Sequence, residues 1–225
     1  MENPTNELEF KEIDTTEKVE NLCTLIGEVI STPEKNHETH GENFYIFKLK
    51  IDRLSGDMDI IDIIVSEKLI DISTILIGDF FKIEGEIRSY NHYISESEKR
   101  KLIINIFAKN ILKVTSEEDL TTNNIQLIGH ICKQPIYRKT PFGREIADIL
   151  LAVNRLYGKS DYLPCIAWGR NAKYASKFQV GDKIKLIGRI QSREYVKKIE
   201  DKEIKKVAYE ISVASLEKIQ EEINE

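Results

Sequence analysis

Every glycine in the first half of this chain has a partner about 102 residues further on. Leu25-Ile26-Gly27 recurs as Leu127-Ile128-Gly129, and Pro33/Pro135, Gly41/Gly143, Arg53/Arg155 and Gly56/Gly158 keep the same offset. After a one-residue insertion, Gly78-Asp79 matches Gly181-Asp182 and Gly85 matches Gly188, leaving only Gly169 of the eleven glycines unmatched. Glycine marks places where the backbone turns, bulges or comes too close to a neighbour for a side chain. Two halves that share these places share a backbone plan. A period of this length is far too long for a solenoid and suits tandem domains of about 100 residues each. The chain therefore divides into a flexible acidic arm (1–20), a first domain (21–114), a linker (115–123), a second domain (124–219) and a short acidic tail (220–225).

Both domains read as strands. In the second, 125–131, 146–153, 162–168, 184–190 and 207–213 mix alternation with short apolar runs, which gives five strands. A helix is expected over 171–178, between strands three and four, and over 67–75 at the matching place in the first domain. Gly129 and Gly188 fall inside strands, where glycine signals a bulge or a tight bend. Five strands with a helix after the third is the OB arrangement. The expected fold is all-β: two tandem five-stranded OB-fold barrels, each with a short helix between strands three and four.

Charge separates the two copies. Residues 1–115 carry 14 Lys+Arg against 22 Asp+Glu, whereas residues 121–219 carry 19 against 10. The overall net charge of −5 hides a basic second domain beside an acidic first one, an asymmetry that suggests a polyanionic partner for one domain only. No apolar run approaches the ~20 residues of a membrane span. The polar, acidic N-terminus is unlike a signal peptide. Cys23, Cys132 and Cys165 are odd in number and scattered, as core residues of a reducing compartment would be. A soluble, cytoplasmic protein with no membrane contact is expected.

Four stretches of the second domain are distinctive. They are Asn124-Ile-Gln-Leu-Ile-Gly-His-Ile-Cys-Lys-Gln-Pro135, Arg138-Lys-Thr-Pro-Phe-Gly143, Leu151-Ala-Val-Asn-Arg155 and Gly181-Asp-Lys-Ile-Lys-Leu-Ile-Gly-Arg-Ile-Gln-Ser-Arg193. Over about 95 residues this domain resembles the bacterial single-stranded DNA-binding protein family, and the first domain resembles it only through its glycine skeleton. The resemblance implies aromatic side chains that stack on unpaired bases, at Tyr157, Tyr162, Trp168 and Tyr195. Each base has a π-face, so stacking gives roughly 1–3 kcal/mol per base with little regard for sequence. Arg138, Lys139, Arg144, Arg155, Lys159, Arg170, Lys173, Arg189 and Arg193 interleave with them and would track the phosphates. An aromatic on a strand is more often core than platform. Tyr162 and Trp168, six apart, face the same way on a regular strand, whether inward or outward. Tyr137, Phe142, Tyr174 and Phe178 read as structural.

At the four matching positions the first domain has Ser55, Ile60, Ser66 and His92, none a good platform, so it is expected to keep the barrel and to have lost most DNA binding. His37 and His40 have metal-like spacing without a third ligand, and no cofactor, metal or catalytic motif is expected. The family usually ends in a flexible linker and an acidic-hydrophobic tip that recruits replication and repair proteins. This chain ends without one, so that route of recruitment is not expected. The function expected from all this is coating and protecting single-stranded DNA in replication, recombination or repair. The alternative is a protein-interaction or structural subunit with weak or no nucleic-acid binding. Family members assemble four barrels, which two barrels per chain would reach as a homodimer.

Overall fold

The computed structural model describes residues 20–93, 100–114, 122–155, 158–199 and 202–220. Residues 1–19 of the arm, 115–121 of the linker and 221–225 of the tail lie outside them. The first copy contributes β1 (Asn21–Val29), β2 (Glu34–Thr39), β3 (Glu42–Asp52), β4 (Met58–Ser66), β5 (Phe80–Tyr93) and β6 (Arg100–Val114). The second contributes β7 (Thr122–Ile131), β8 (Ile136–Lys139), β9 (Glu145–Asn154), β10 (Ser160–Trp168), α1 (Arg170–Ala175), β11 (Lys183–Ile199) and β12 (Lys202–Lys218).

Each copy thus has six strands rather than five. The additional ones, β2 and β8, are short arms that hairpin onto β3 and β9. All residues of both arms are exposed, so they carry no buried alternation from which a strand could be read. Only the second copy has the expected helix, which lies between β10 and β11. There Ala172 and Ala175, good helix formers, are buried under it. In the first copy Ile72–Thr74 make a single 3₁₀ turn instead. Asp71 accepts the backbone N–H of Ser73 (3.0 Å), and the β-branched Ile and Thr around it disfavour continuation as an α-helix.

The strands run in the order β2-β3-β4-β6-β5-β1-β7-β11-β12-β10-β9-β8. Adding six to each label of the first half gives the second half in reverse, so the sheet has internal two-fold symmetry. Its axis passes through the junction of β1 and β7, which pair antiparallel with Cys23 opposite Ile125. Those two residues are themselves repeat partners, and both are fully buried. The buried side chains of the two barrels form one contiguous hydrophobic cluster.

The glycine skeleton now has a physical reason. A Cβ on Gly129 would run into the carbonyl oxygen of Ala152, where β7 crosses to β9 and closes the barrel. A Cβ on Gly188 would meet the carbonyl oxygen of Ser212, at a β-bulge between β11 and β12. The same two encounters recur at Gly27 with Lys50 and at Gly85 with Phe107.

Two reciprocal ion pairs lock the barrels together. Asp59 on β4 is fully buried and accepts from Arg53 Nε (2.7 Å), from Arg53 Nη2, and from the backbone N–H (2.6 Å) and hydroxyl (3.0 Å) of Ser192 on β11. Arg53 Nη2 also donates to the Ser192 carbonyl (2.7 Å). By symmetry, fully buried Asp161 on β10 accepts from Arg155 Nε (2.5 Å), from Arg155 Nη2 and from the Ser89 N–H on β5. Arg155 Nη2 then donates to the Ser89 carbonyl (3.0 Å). A carboxylate taken out of water is tolerated only when so fully partnered. Beside these pairs, Tyr209 on β12 donates to the carbonyl of Ile60 on β4 (2.7 Å), and burial pushes its phenol up from its ordinary range.

Candidate nucleic-acid interface

The outer surface of β9, β10, β12 and β11 is the candidate site. Along β10, Leu163 and Cys165 point into the core, so Tyr162 and Trp168 point out, at 51% and 37% exposure. This settles their shared direction: they are not core. Cys165 pairs with Ile211 on β12, and Ile211 with Ile190 on β11, all three buried. The next residues along, Ile166, Ser212 and Arg189, therefore share the opposite, outward face. Continuing along β11 at every second position gives Gln191, Arg193 and Tyr195, the last 38% exposed. Tyr162, Trp168, Arg189, Arg193 and Tyr195 thus stand on one face, held by four hydrogen-bonded strands.

The first barrel takes part in holding that face. Ser89 Oγ accepts the backbone N–H of Tyr162 (2.9 Å), next to the buried Asp161. The start of β10, from which Tyr162 projects, is therefore clamped by β5 of the other copy.

The basic residues fall into three groups. Lys139 and Arg144 are exposed at the β8–β9 hairpin, where the Arg144 N–H donates to Thr140 Oγ1 (3.1 Å). Lys159 is exposed in the turn before β10, Arg170 is exposed at the start of α1, and Arg189 is exposed on β11. A second group is placed on the surface but bound to acids. Arg138 pairs with Asp148 (2.8 Å), which raises its guanidinium above its ordinary range. Lys173 pairs with Glu145 (3.1 Å). Glu145 is held below the usual carboxylate range first by the Tyr137 hydroxyl and then by Lys173. Arg193 lies 3.5 Å from Glu210 and 6.0 Å from the Tyr195 ring centroid, within reach of a cation–π contact. Glu210 is itself buried beneath the face and accepts from Gln191 (2.9 Å).

Arg155 forms the third group alone. Its guanidinium is committed to Asp161 and Ser89 between the barrels, so a phosphate contact would have to break that lock. We therefore reassign it from strand tracking to barrel docking. Tyr157 lies outside the described residues. Tyr174 and Phe178 pack edge to face at 4.9 Å, as their i, i+4 spacing leads one to expect. Phe142 is fully exposed at the hairpin tip, not the structural residue expected of it, because it points away from the core at a turn.

The lock itself was missed by sequence reasoning, although a signal existed. Arg53 and Arg155 share the repeat offset, and so do Asp59 and Asp161, each a charge inside or beside an apolar strand.

Comparison with known proteins bears on the same segment. The family model described as "Single-strand binding protein family" matches residues 122–219. Single-stranded DNA-binding protein B of Bacillus subtilis is 34% identical over 80 residues, covering 32% of this chain and 71% of the relative. The chain belongs to the single-strand binding protein family. Within that family, single-stranded DNA-binding protein 2 of Listeria innocua is 35% identical over 80 residues, covering 32% of this chain and 50% of the relative. The chain spans about half the length of several curated relatives that it matches. The crystal structure of the wild-type single-stranded DNA-binding protein from Thermus aquaticus superposes with a TM-score of 0.73 at 20% identity, covering 91% of this chain and 95% of that one. This likeness extends the family fold to both barrels. Among the described residues, no helix is long and apolar enough to cross a membrane.

Proposed function

We propose that this protein binds single-stranded DNA on the outer face of its second barrel and so coats and protects it during replication, recombination or repair. The observation that carries the reading is the outward placement of Tyr162, Trp168 and Tyr195 on the same face as Arg189 and Arg193. Rings on a rigid sheet lose little conformational freedom when a base stacks on them. Cations between them neutralise phosphates and release counterions. Lys139, Arg144, Lys159 and Arg170 at the margins extend the basic track, and Tyr157, outside the described residues, is assigned to stacking by the family resemblance alone. Arg138, Lys173 and Arg193 would join by exchanging an acid for a phosphate. The relatives named for single-stranded DNA binding support the same reading.

Such a protein is a binding protein and not an enzyme, acts in the cytoplasm on the nucleoid, and works as a homodimer of four barrels. The test is a competition in which labelled oligo-dT bound to the full chain is challenged with unlabelled oligo-dT, duplex DNA and single-stranded RNA. The reading requires oligo-dT to displace the label and duplex to fail. Displacement by duplex at equal concentration would overturn it.

A further inference from the structure

Glu210 stands at the centre of the binding face as an acid among cations. The outward residues of β11 and β12 meet in cross-strand pairs: Arg189 with Ser212, Gln191 with Glu210 and Arg193 with Ala208. Glu210 therefore occupies the slot between those of the two arginines. Ile211 beside it fills the barrel, so the Glu210 side chain points the other way, toward the face on which Tyr162 and Trp168 stand. It is nevertheless only 8% exposed. Its field reaches across the sheet: the Arg138 guanidinium, raised first by its hydrogen bond to Asp148, is raised further by Glu210.

The first barrel shows what this position needs for folding alone. Its equivalent pair is Arg88 with Asn105, one step along from Ile87–Ile106, just as Gln191–Glu210 is one step along from Ile190–Ile211. Asn105 is buried too, so a neutral amide fills the same place. A carboxylate there adds a desolvation cost that the fold does not require. It is also less fully partnered than the other buried acids. Asp59 and Asp161 each accept an arginine fork and a serine N–H from across the barrels. Glu210 accepts one hydrogen bond on Oε1, from Gln191 at 2.9 Å, and its Oε2 lies 3.5 Å from Arg193 Nε. A carboxylate offers about four acceptor sites, so among the described residues Glu210 keeps acceptor capacity on a face of exposed rings.

An anion fixed there acts in two ways. It repels phosphates from the middle of the sheet, where Arg189 and Arg193 would otherwise hold one, and leaves them to the cations at the margins. It also accepts N–H donors. Every base carries such a donor on its pairing edge, free in a single strand and occupied in a duplex. We propose that Glu210 is a specificity-determining residue: its carboxylate accepts the pairing-edge N–H of an unpaired base, turns phosphates away, and so sets the preference for single strands over duplex. The proposal rests on the reading of the second barrel given above.

The experiment measures binding of labelled oligo-dT and of a labelled duplex of equal length at low salt, for the full native chain, Glu210→Gln and Glu210→Asp. The amide keeps the size of the side chain and removes its charge. On duplex only a repulsion is lost, so Glu210→Gln is expected to bind it roughly tenfold more tightly. On oligo-dT the eased repulsion and the lost base contact oppose each other, and affinity is expected to stay within about threefold. Glu210→Asp, still anionic, is expected to keep the native preference. Retention of the native thermal transition shows that a change is not one of folding. The native chain is also titrated with oligo-dT methylated at every thymine N3, which keeps rings and phosphates and removes the pairing-edge donor. It is expected to bind this strand roughly fivefold more weakly, a loss that shrinks in Glu210→Gln. An unchanged duplex-to-single-strand ratio in Glu210→Gln, or equal native affinity for methylated and plain oligo-dT, would overturn the inference and leave the second barrel's role intact. A native chain that fails to bind plain oligo-dT would overturn that role itself.

Discussion

The guanidinium of Arg155 reaches out of its own barrel and donates to the carbonyl oxygen of Ser89 in the other, at 3.0 Å, while it neutralises the buried Asp161. The mirror pair, Arg53 to Ser192, does the same in the opposite direction at 2.7 Å. Two barrels tied in this reciprocal way act as one body. Arg155→Ala leaves Asp161 buried with only the Ser89 N–H for a donor, and it is expected to cost about 3–5 kcal/mol, since a buried charge has lost its partner. Denaturant unfolding checks this, and Arg155→Ala should lower the midpoint well beyond a control such as Arg144→Ala at an exposed hairpin. Equal midpoints would show that the lock carries no stability.

Gly129 faces the Ala152 carbonyl oxygen at the place where the second barrel closes. Gly129→Ala is expected to force β7 and β9 apart and to destabilise the fold by about 1–3 kcal/mol. The turn glycine Gly143 has open space where its Cβ would go, though it adopts φ 76°. Gly143→Asn, a residue that tolerates this backbone, should cost less than Gly129→Ala. Thermal unfolding of the two variants side by side makes the comparison.

Arg189 is exposed in the middle of the binding face. Arg189→Ala is expected to weaken oligo-dT binding most at low salt and to reduce the slope of log affinity against log salt by about 0.7, the value for one phosphate on a single strand. Arg155→Ala should leave that slope unchanged if its guanidinium serves docking alone.

Acid should destabilise the fold by protonating carboxylates that the folded state holds ionised. Asp182 is held below the ordinary carboxylate range first by Lys218 and then by the Gln179 N–H. Glu145 is lowered by the Tyr137 hydroxyl and Lys173, and Asp71 by Ser73. Carboxylates with lowered folded-state values bind fewer protons folded than unfolded, so their stabilisation is complete above the unfolded values near ~4 and is lost as pH falls through the folded values. The thermal midpoint is expected to stay level from neutral pH down to about 5 and to decline below about 4. A midpoint that rises on acidification would contradict these assignments.

The duplication was legible because glycine at a close approach cannot be replaced cheaply, and so Gly27, Gly85, Gly129 and Gly188 kept their spacing. The exposed arms β2 and β8 were not legible, because a hairpin strand whose residues are all exposed has no buried face to give alternation. Arg155 was misassigned for a different reason. An arginine at a strand end has the same sequence appearance whether it meets a phosphate or an internal carboxylate, and only the fold brings Asp161 and Ser89 to it. Position-by-position comparison also passed over Phe44, which is 9% exposed and stands opposite Ser66 across the β3–β4 pair. Phe44 and Ser66 exchange bulk across a strand pair relative to Ile146 and Trp168, a swap that only the pairing register makes visible.

Trp168 is the single tryptophan of the chain and stands on the candidate face. Its fluorescence during titration with oligo-dT tests the central claim most directly. The account predicts saturable quenching, lost in Trp168→Ala together with about 1–3 kcal/mol of binding free energy measured by an independent label. Emission that stays unchanged at saturating oligo-dT, with Trp168→Ala binding as tightly as the native chain, would contradict it.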